Sequence, residues 1–298
     1  CRHSLKPHFD YDNIFRVTKN GLDLFQDLFD YPYPYPKYEQ AFVPEYNIGA
    51  MENPGLVTFT EDFIFVSGAT EDDLEGRANT ICHEMAHMWF GDLVTMKWWD
   101  DLWLKESFAD FMGALGAIEA NGFNDAWVTF ANHRKSWAYL QDQLPTTHPI
   151  VADIPHLEAA AQNFDGITYA KGASTLKQLV SYVGFDTFIE AARVYFKRFA
   201  WGNTSLQDFL DVLNEVSGRD MQTWSQAWLQ TSGLSTLGTR RVYREDGKLQ
   251  DLYLTQQLPD TQPAGIGRPH VVKLETFILQ EEKLVSTGTL SPKSIRRL

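Results

Sequence analysis

The sequence has few cysteines and no long apolar run. Only two of its 298 residues are cysteine, Cys1 and Cys82, so no disulfide framework is implied. We interpret Cys82 as a small buried residue, with a redox role as the alternative. No run of about eighteen or more apolar residues occurs, so the sequence predicts no membrane-spanning helix. The sequence also shows no internal repeat and no low-complexity tail.

Positive charge is scarce as well. Lys and Arg number 26 against 39 Asp and Glu, and the formal net charge of -13 argues against a nucleic-acid partner. The negative charge is compatible with attraction of cationic ligands, although simple solubility is the favoured interpretation. Hydrophobic residues make up 44% of the chain and aromatic residues 14%, enough for one large domain plus part of another.

Two histidines and a glutamate form an H-E-x-x-H run. His83 and His87 are four residues apart, so on an α-helix their imidazoles lie on one face and can bind one cation. Glu84 lies about 100° around that helix from His83, which directs its carboxylate beside the metal, where a general base acts on water. Taken alone, such a run also arises by chance in unrelated helices.

A third ligand is expected from elsewhere in the chain. Catalytic zinc takes three protein ligands and leaves the fourth position to water or substrate. Glu106, separated from His87 by eighteen residues, is the leading candidate. Asp110, one helical turn beyond Glu106, could accept the second ring N–H of a ligating histidine, or it could be a solvated helix residue.

The flanking residues predict that both parts of this pattern are helical. Thr70 with Asp73 forms a capping box for a helix over about 71–90, with Gly91 as its stop. The next apolar-periodic stretch predicts a second helix over about 102–120. The connection is long enough to reverse the chain, so Glu106 is expected to face the two histidines.

A second, separate motif agrees with the first in order and spacing. Gly49-Ala50-Met51-Glu52-Asn53 precedes the zinc pattern, and Tyr169-Ala170-Lys171-Gly172 follows it. Together these residues resemble the aminopeptidase N family of gluzincin zinc peptidases, and the resemblance covers roughly residues 1–235.

The resemblance implies roles for residues outside the metal pattern. The glutamate matching Glu52 binds the free α-amine of the substrate, and the backbone matching Gly49 and Ala50 lies along the substrate chain. Met51 shapes the pocket for the first residue, and the tyrosine matching Tyr169 stabilises the oxyanion. From the residues alone, Glu52 is also compatible with an exposed loop acid and Tyr169 with ordinary packing.

These residues predict a zinc-dependent aminopeptidase that binds one Zn²⁺ per chain and removes single residues from the free N-terminus of peptides. In this mechanism zinc activates water, and Glu84 takes its proton and passes it to the leaving amine. Tyr169 and zinc share the oxyanion, while Glu52 holds the substrate amine.

The predicted fold class is α+β. Residues 1–237 are expected to form a thermolysin-like catalytic domain with a small sheet and a helical lobe, and residues 238–298 a small, incomplete all-β domain. The family's N-terminal β domain and C-terminal helical domain are expected to be absent from this chain. The sheet edge near residues 49–52 is expected to pair with the substrate backbone by strand addition.

Local signals add further elements. Residues 41–48 and 55–66 are rich in strand-forming side chains, most clearly from Phe63 to Val66. Thr204 with Gln207 suggests a capping box for a later helix. Asp246-Gly247 between apolar runs is a hairpin signal in the expected β domain.

Three alternative functions compete with this prediction. A thermolysin-like endopeptidase would use the same zinc chemistry without an amine anchor. A related epoxide-hydrolysing aminopeptidase usually has Gly-Gly where this chain has Gly49-Ala50. A non-catalytic peptide-binding scaffold would not need the complete set of His83, Glu84, His87 and Glu106.

The expected partners are peptides with a free N-terminus, with no nucleic acid and no membrane segment in this chain. The oligomeric state does not follow from the sequence. The start, Cys1-Arg2-His3-Ser4, is neither an initiator methionine nor a signal peptide, so the chain looks like an excised segment. A cytoplasmic location is expected from the scarcity of cysteine and the bacterial-looking similarity.

Overall fold

The computed structural model describes residues 1–262, 267–290 and 296–297. It combines helices with small sheets, as the α+β class predicts. The helices are α1 Tyr11–Phe29, α2 Glu71–Ala86, α3 Trp103–Glu119, α4 Ala126–Asn132, α5 Arg134–Gln141, α6 Leu157–Gln162, α7 Gly172–Val183, α8 Phe185–Phe199, α9 Leu206–Ser217 and α10 Met221–Trp228. The strands are β1 Glu39–Val43, β2 Ala50–Met51, β3 Leu56–Thr60, β4 Val94–Met96, β5 Gly202–Thr204, β6 Thr236–Tyr243, β7 Leu249–Gln257, β8 Leu274–Gln280, β9 Lys283–Leu290 and β10 Arg296–Arg297.

The first sheet has the strand order β1-β3-β2. Strand β3 pairs in parallel with β1 and antiparallel with β2, with Ala50 opposite Phe59 and Met51 opposite Thr58. Because β2 stands at the end of this order, the segment that carries the second motif is a sheet edge. The expected strand over residues 41–48 is shorter, since β1 ends at Val43.

The expected strand from Phe63 to Val66 is wrong. Residues 61–63 instead form a short 3₁₀ turn, in which the Thr60 hydroxyl accepts a hydrogen bond from Asp62 N. The buried side chain of Arg77 donates a hydrogen bond to the Phe63 carbonyl oxygen at 3.1 Å. Apolar β-branched residues therefore favoured a strand here, but a local cap and a tertiary contact fixed a turn.

The helices α2 and α3 pack closely against each other. A Cβ at position 116 would lie only 2.8 Å from the sulfur of Cys82, so Gly116 is what allows this approach. Cys82 is fully buried at this contact, and burial raises the pKa of its thiol to about 12. The prediction of a small buried cysteine is confirmed, and the close packing places the start of α3 near the end of α2.

Helix α2 has the predicted start but an earlier end. Thr70 and Asp73 form the expected capping box. The helix ends at Ala86 rather than near residue 90, because hydrogen bonds from Met88 N and Trp89 N reach back only three residues and tighten the turn. Trp89 then enters the core, where it is fully buried.

The apolar core lies among the helices and beneath the first sheet. Aromatic side chains from distant segments pack against one another there, as shown by the ring contacts of Phe29 with Trp89, Phe90 and Phe196. Phe90 also stacks on Phe108 of α3, with ring centroids 4.5 Å apart. This cluster fixes the two helices that carry the H-E-x-x-H run and Glu106.

One capping prediction is displaced by a residue. Helix α9 is capped by Ser205, whose backbone N–H and hydroxyl both donate to Asp208 Oδ2 at 2.8 Å. Thr204 instead ends β5, and its hydroxyl lies 2.5 Å from the Tyr195 hydroxyl in the core. The end at Gly218 is as expected, with φ of 64°.

The region after α10 consists of strands. Strands β6 and β7 form an antiparallel hairpin around Asp246-Gly247, as predicted, and β8 pairs with β9. Residues 263–266, 291–295 and 298 of the expected β domain lie outside the described residues. Within the described ranges, no helix has the length and hydropathy needed to cross a bilayer.

Candidate active site

The two histidines converge at the end of α2. His83 lies in the last turn of this helix, and His87 is its C-cap residue, still with helical backbone angles of φ -58° and ψ -27°. The i, i+4 relation therefore survives the early helix end, and the two Nε2 atoms are 3.2 Å apart. Both rings are directed at one point, as their spacing predicts.

Glu106 faces this point from the first turn of α3. Its Oε2 lies 3.3 Å from His87 Nε2 and 3.7 Å from His83 Nε2. Ligands of a tetrahedral zinc ion at about 2.0–2.1 Å would be separated by about 3.3–3.4 Å. The three donor atoms thus have nearly the mutual spacing, and the N, N, O chemistry, of a catalytic zinc site.

The other ring nitrogens are fixed by acceptors. His87 Nδ1 lies 3.0 Å from the Phe90 carbonyl oxygen, and His83 Nδ1 lies 3.1 Å from Asp110 Oδ1. A proton on each Nδ1 leaves the Nε2 lone pair free for a metal. Asp110 is itself held by Arg134, which donates to both carboxylate oxygens at 2.7–3.0 Å. Of the two alternatives for Asp110, an acceptor for a histidine ring N–H or a solvated helix residue, the structure shows the contact with His83.

The surrounding acids favour positive charge at this point. Burial alone would lower the pKa of His83, but hydrogen bonds to Asp110 and Glu106 raise it to about 10. Burial alone would raise the pKa of the Glu106 carboxyl, but the two histidines and Lys105 hold it well below its usual value. A cation of either kind, a proton or a metal, is stabilised by this arrangement.

Glu84 lies beside the three donors rather than among them. Its side chain is buried, and Oε2 has no hydrogen-bond partner among the described residues. Burial raises the pKa of this carboxyl to about 7. One of its oxygens lies within 4.8 Å of donor atoms of His87 and Glu52, so it can reach a molecule held between them.

Glu52 directly follows the edge strand β2. It is only 7% exposed, so the alternative of an exposed loop acid is wrong. Gly49 and Met51 frame it, since the Gly49 carbonyl oxygen accepts from Thr60 N at 2.9 Å and Met51 pairs with Thr58. Burial would raise the pKa of Glu52, but His87 and Lys105 lower it, which favours the ionised carboxylate.

Tyr169 lies in a π-helical turn, residues 167–171, that leads into α7. Asp165 begins this turn by accepting from Ile167 N and Thr168 N at 3.0 Å. The Tyr169 ring is parallel to that of His83, with centroids 6.1 Å apart. Burial raises the pKa of the phenol, which therefore stays a proton donor.

Two charged residues of the site were missed by sequence reasoning. Lys105 lies with its ammonium 2.5 Å from Glu52 Oε1 and 3.1 Å from Glu106 Oε1. Arg134 holds Asp110 and lies 5.7 Å from the centre of the Tyr169 ring. Adjacency to Glu106 was the one signal for Lys105, and nothing local in the sequence indicated Arg134.

A separate cavity of about 330 Å³ lies between α5, α7 and the strand region. Its buried cations already have partners in the protein. Lys171 pairs with Asp142 at 2.8 Å, and Arg268 donates to the carbonyl oxygens of Ala227 and Gly233. This cavity shares no lining residue with the site above.

Comparison with known proteins agrees with the geometry. The peptidase family M1 domain matches residues 14–228. The chain is 52% identical over 286 residues to "Aminopeptidase N" of Streptomyces lividans, covering 94% of this chain and 33% of that protein.

More distant relatives show the same similarity. "Probable aminopeptidase 2" of Sulfurisphaera tokodaii is 39% identical over 218 residues, covering 73% of this chain and 28% of that protein. "Tricorn protease-interacting factor F2" of Thermoplasma volcanium is 39% identical over 248 residues, covering 81% and 30%. The chain thus spans about a third of the length of the curated relatives it matches. Since the family match covers well over half of its residues, the chain belongs to peptidase family M1.

Proposed function

We propose that the protein containing this chain is a zinc-dependent aminopeptidase that removes single residues from the free N-terminus of peptides. The observation that carries the proposal is the combination of a three-donor metal group with a buried carboxylate, Glu52, on the adjacent sheet edge. A metal group alone suits any metallopeptidase. A buried carboxylate beside it suits a substrate with an ammonium close to the scissile bond.

His83, His87 and Glu106 are proposed to hold one zinc ion. When bound, zinc lowers the pKa of a coordinated water towards about 7 and polarises a substrate carbonyl. Asp110 and the Phe90 carbonyl oxygen orient the two imidazoles for this purpose. Arg134 in turn fixes Asp110 through two carboxylate oxygens.

Glu84 is proposed as the general base and then the general acid. Its Oε2, which has no hydrogen-bond partner in the described part of the chain, would accept a proton from the attacking water and then give that proton to the leaving amine nitrogen. The Tyr169 hydroxyl donates to the carbonyl oxygen as negative charge develops there. Burial and the neighbouring carboxylates raise the pKa of this phenol, which favours the protonated form that can donate.

Glu52 is proposed to bind the substrate α-ammonium. The backbone of Gly49 and Ala50 and the side chain of Met51 would then lie along the first substrate residue. Strand β2 is the last strand of its sheet, so its outer edge can accept the substrate backbone by strand addition. Peptides with a free N-terminus are therefore the proposed partners.

For the domains, we propose a thermolysin-like catalytic domain over residues 1–237 and a small β domain over 238–298. The family match ends at residue 228, and among the side chains whose burial the structure describes, the last buried hydrophobic one is Leu229. Strands follow from Thr236. The cytoplasmic location stays a prediction.

The leading alternative is an endopeptidase with the same metal chemistry. Amino-acid arylamides and their N-acetylated counterparts, assayed on the full-length protein with and without chelator, distinguish the two. Loss of one partner of a buried charged hydrogen bond costs roughly 2 kcal/mol or more, so acetylation should reduce kcat/KM at least about thirty-fold. Equal rates for the free and the N-acetylated arylamides would favour the endopeptidase. Activity unaffected by chelator would show that the reaction does not need a metal.

A further inference from the structure

We propose that Lys105 is a positioning residue that sets the spacing between the amine anchor and the metal group. One ammonium holds one oxygen of Glu52 and one oxygen of Glu106, and so ties the two ends of the site together. The inference rests on the proposed function, because Lys105 would position Glu52, the proposed anchor for the substrate α-ammonium.

The contacts of Lys105 are buried and specific. Its Nζ lies 2.5 Å from Glu52 Oε1 and 3.1 Å from Glu106 Oε1. The Lys105 side chain is 12% exposed, and the side chains of Glu52 and Glu106 are 9% and 3% exposed. At such burial a charged hydrogen bond restricts both partners far more than an exposed ion pair does.

In both Glu52 and Glu106, the two carboxylate oxygens have different surroundings. Glu106 turns Oε2 towards the histidines and Oε1 towards Lys105. Glu52 gives Oε1 to Lys105, and its Oε2 accepts no hydrogen bond from the described residues. That second oxygen is the atom left for a substrate ammonium, at a position fixed relative to the metal ligand.

The stem of Lys105 is confined by its surroundings. A Cβ at position 91 would lie 3.2 Å from Lys105 Cβ and 3.3 Å from Lys105 Cδ, so Gly91 leaves the space for the stem. The ammonium also lies 5.8 Å from the centre of the Phe164 ring. The helix α3 thus carries both the metal ligand Glu106 and the cation that orients the anchor.

Removing the ammonium should affect the anchor more than the metal group. Without Lys105, the buried carboxylates of Glu52 and Glu106 would lose the ammonium that bridges them, and less positive charge would offset their mutual repulsion. Glu52 would lose the bond that fixes its direction, whereas Glu106 would still be held by the metal. The expected defect is therefore in recognition of the α-amine.

The experiment compares two zinc-binding inhibitors on the zinc-loaded full-length protein. Leucine hydroxamate carries the α-amine, and isocaprohydroxamic acid is the same molecule without it. The affinity ratio of the two, measured by calorimetry, gives the contribution of the amine. In the unsubstituted protein this ratio should be at least about thirty-fold.

Lys105→Met should reduce that ratio by about ten-fold or more, while the affinity for isocaprohydroxamic acid changes by less than about three-fold. Lys19→Met, which removes a lysine from an exposed pair with Asp23, is the control and should leave both affinities unchanged. If Lys105→Met folds poorly, Lys105→Gln should show the same selective loss. A purely structural role would weaken both inhibitors equally.

The outcomes separate this inference from the proposed function. If the unsubstituted protein binds both inhibitors equally, the amine anchor itself is wrong and the aminopeptidase proposal fails. If the unsubstituted protein shows the ratio but Lys105→Met retains it, or weakens both inhibitors equally, only the role of Lys105 is overturned.

Discussion

The two ends of the candidate site are built in different ways. At the metal end, the donor atoms of His83, His87 and Glu106 come from the adjoining ends of two closely packed helices. At the other end, Glu52 follows a strand of two residues at a sheet edge and is held by the side chain of Lys105. Helical geometry therefore fixes the metal end, and a tertiary ion pair fixes the amine end.

On the proposed function, the metal end carries the chemistry of hydrolysis, and the amine end determines which peptide bond is cut. Any metallopeptidase needs the metal end to activate water, whereas the position of Glu52 decides how far from a free terminus the bond is cut. Substitutions at one end should therefore leave the function of the other largely intact.

Glu84→Gln should cause the largest loss. The amide cannot take a proton from water, so kcat should fall by about 10²- to 10⁴-fold, the range for general acid–base catalysis. Zinc content, measured by atomic absorption, and the affinity ratio of the two hydroxamates should be unchanged. Glu71→Gln, at the exposed start of the same helix, is the control. Near-normal turnover in Glu84→Gln would disprove the base assignment.

Tyr169→Phe should lower kcat by about 10²- to 10³-fold, because one preorganised donor to the oxyanion is lost. KM should change little, since the phenol stabilises the transition state more than the bound substrate. Tyr195→Phe removes a buried hydroxyl that bonds to Thr204 elsewhere in the core, and steady-state kinetics should show far less effect. A rise in KM at constant kcat would mean that Tyr169 contributes to substrate binding at the amine end instead.

Asp110→Asn should weaken zinc binding by about ten- to a hundred-fold, as is typical when the acceptor behind a ligating histidine is changed. Competition with a chelator measures this affinity directly. Asp23→Asn, in an exposed pair with Lys19, should bind zinc as before. A loss of α-amine discrimination in zinc-saturated Asp110→Asn would contradict the separation of the two ends.

His148→Gln should have the smallest effect, and it should depend on pH. Burial would lower the pKa of His148, but its hydrogen bond to Asp165 raises it above 6.5. A raised folded-state pKa stabilises the fold fully below pH 6.5, and this contribution is lost as pH rises through the folded-state value.

The expected size is below about 1 kcal/mol, or a few degrees in Tm. Scanning calorimetry should show His148→Gln less stable below pH 6.5 and converging with the unsubstituted protein as the pH rises through the folded-state pKa of His148. A difference that grows with pH would show the opposite sign and rule out this ion pair as the cause.

The metal end was predictable from the sequence because its geometry is local. Helical periodicity placed His83 and His87 on one face, and the cap at Thr70 and the start of α3 were read within a residue. Glu106 needed only a reversal of the chain to reach them. From the residues alone, Glu52 was compatible with an exposed loop acid and Tyr169 with ordinary packing. The family resemblance supplied the functional prediction for both.

The remaining features depend on contacts that no local pattern contains. Lys105 and Glu52 are 53 positions apart in sequence, so their ion pair could not be inferred from spacing. The turn after β3 replaced a predicted strand because Arg77, a distant residue, bonds to the Phe63 carbonyl oxygen. The cap of α9 is Ser205 rather than the predicted Thr204, because the Thr204 hydroxyl bonds to the Tyr195 hydroxyl in the core.

The product pattern from an unblocked peptide of about ten residues shows directly where the full-length protein cuts when it is followed over time by mass spectrometry. A site that measures one residue from a free terminus predicts a ladder of products, each shorter by a single N-terminal residue. The same peptide with an acetylated N-terminus should remain intact. Internal fragments from either peptide would show that Glu52 does not set the position of the cut.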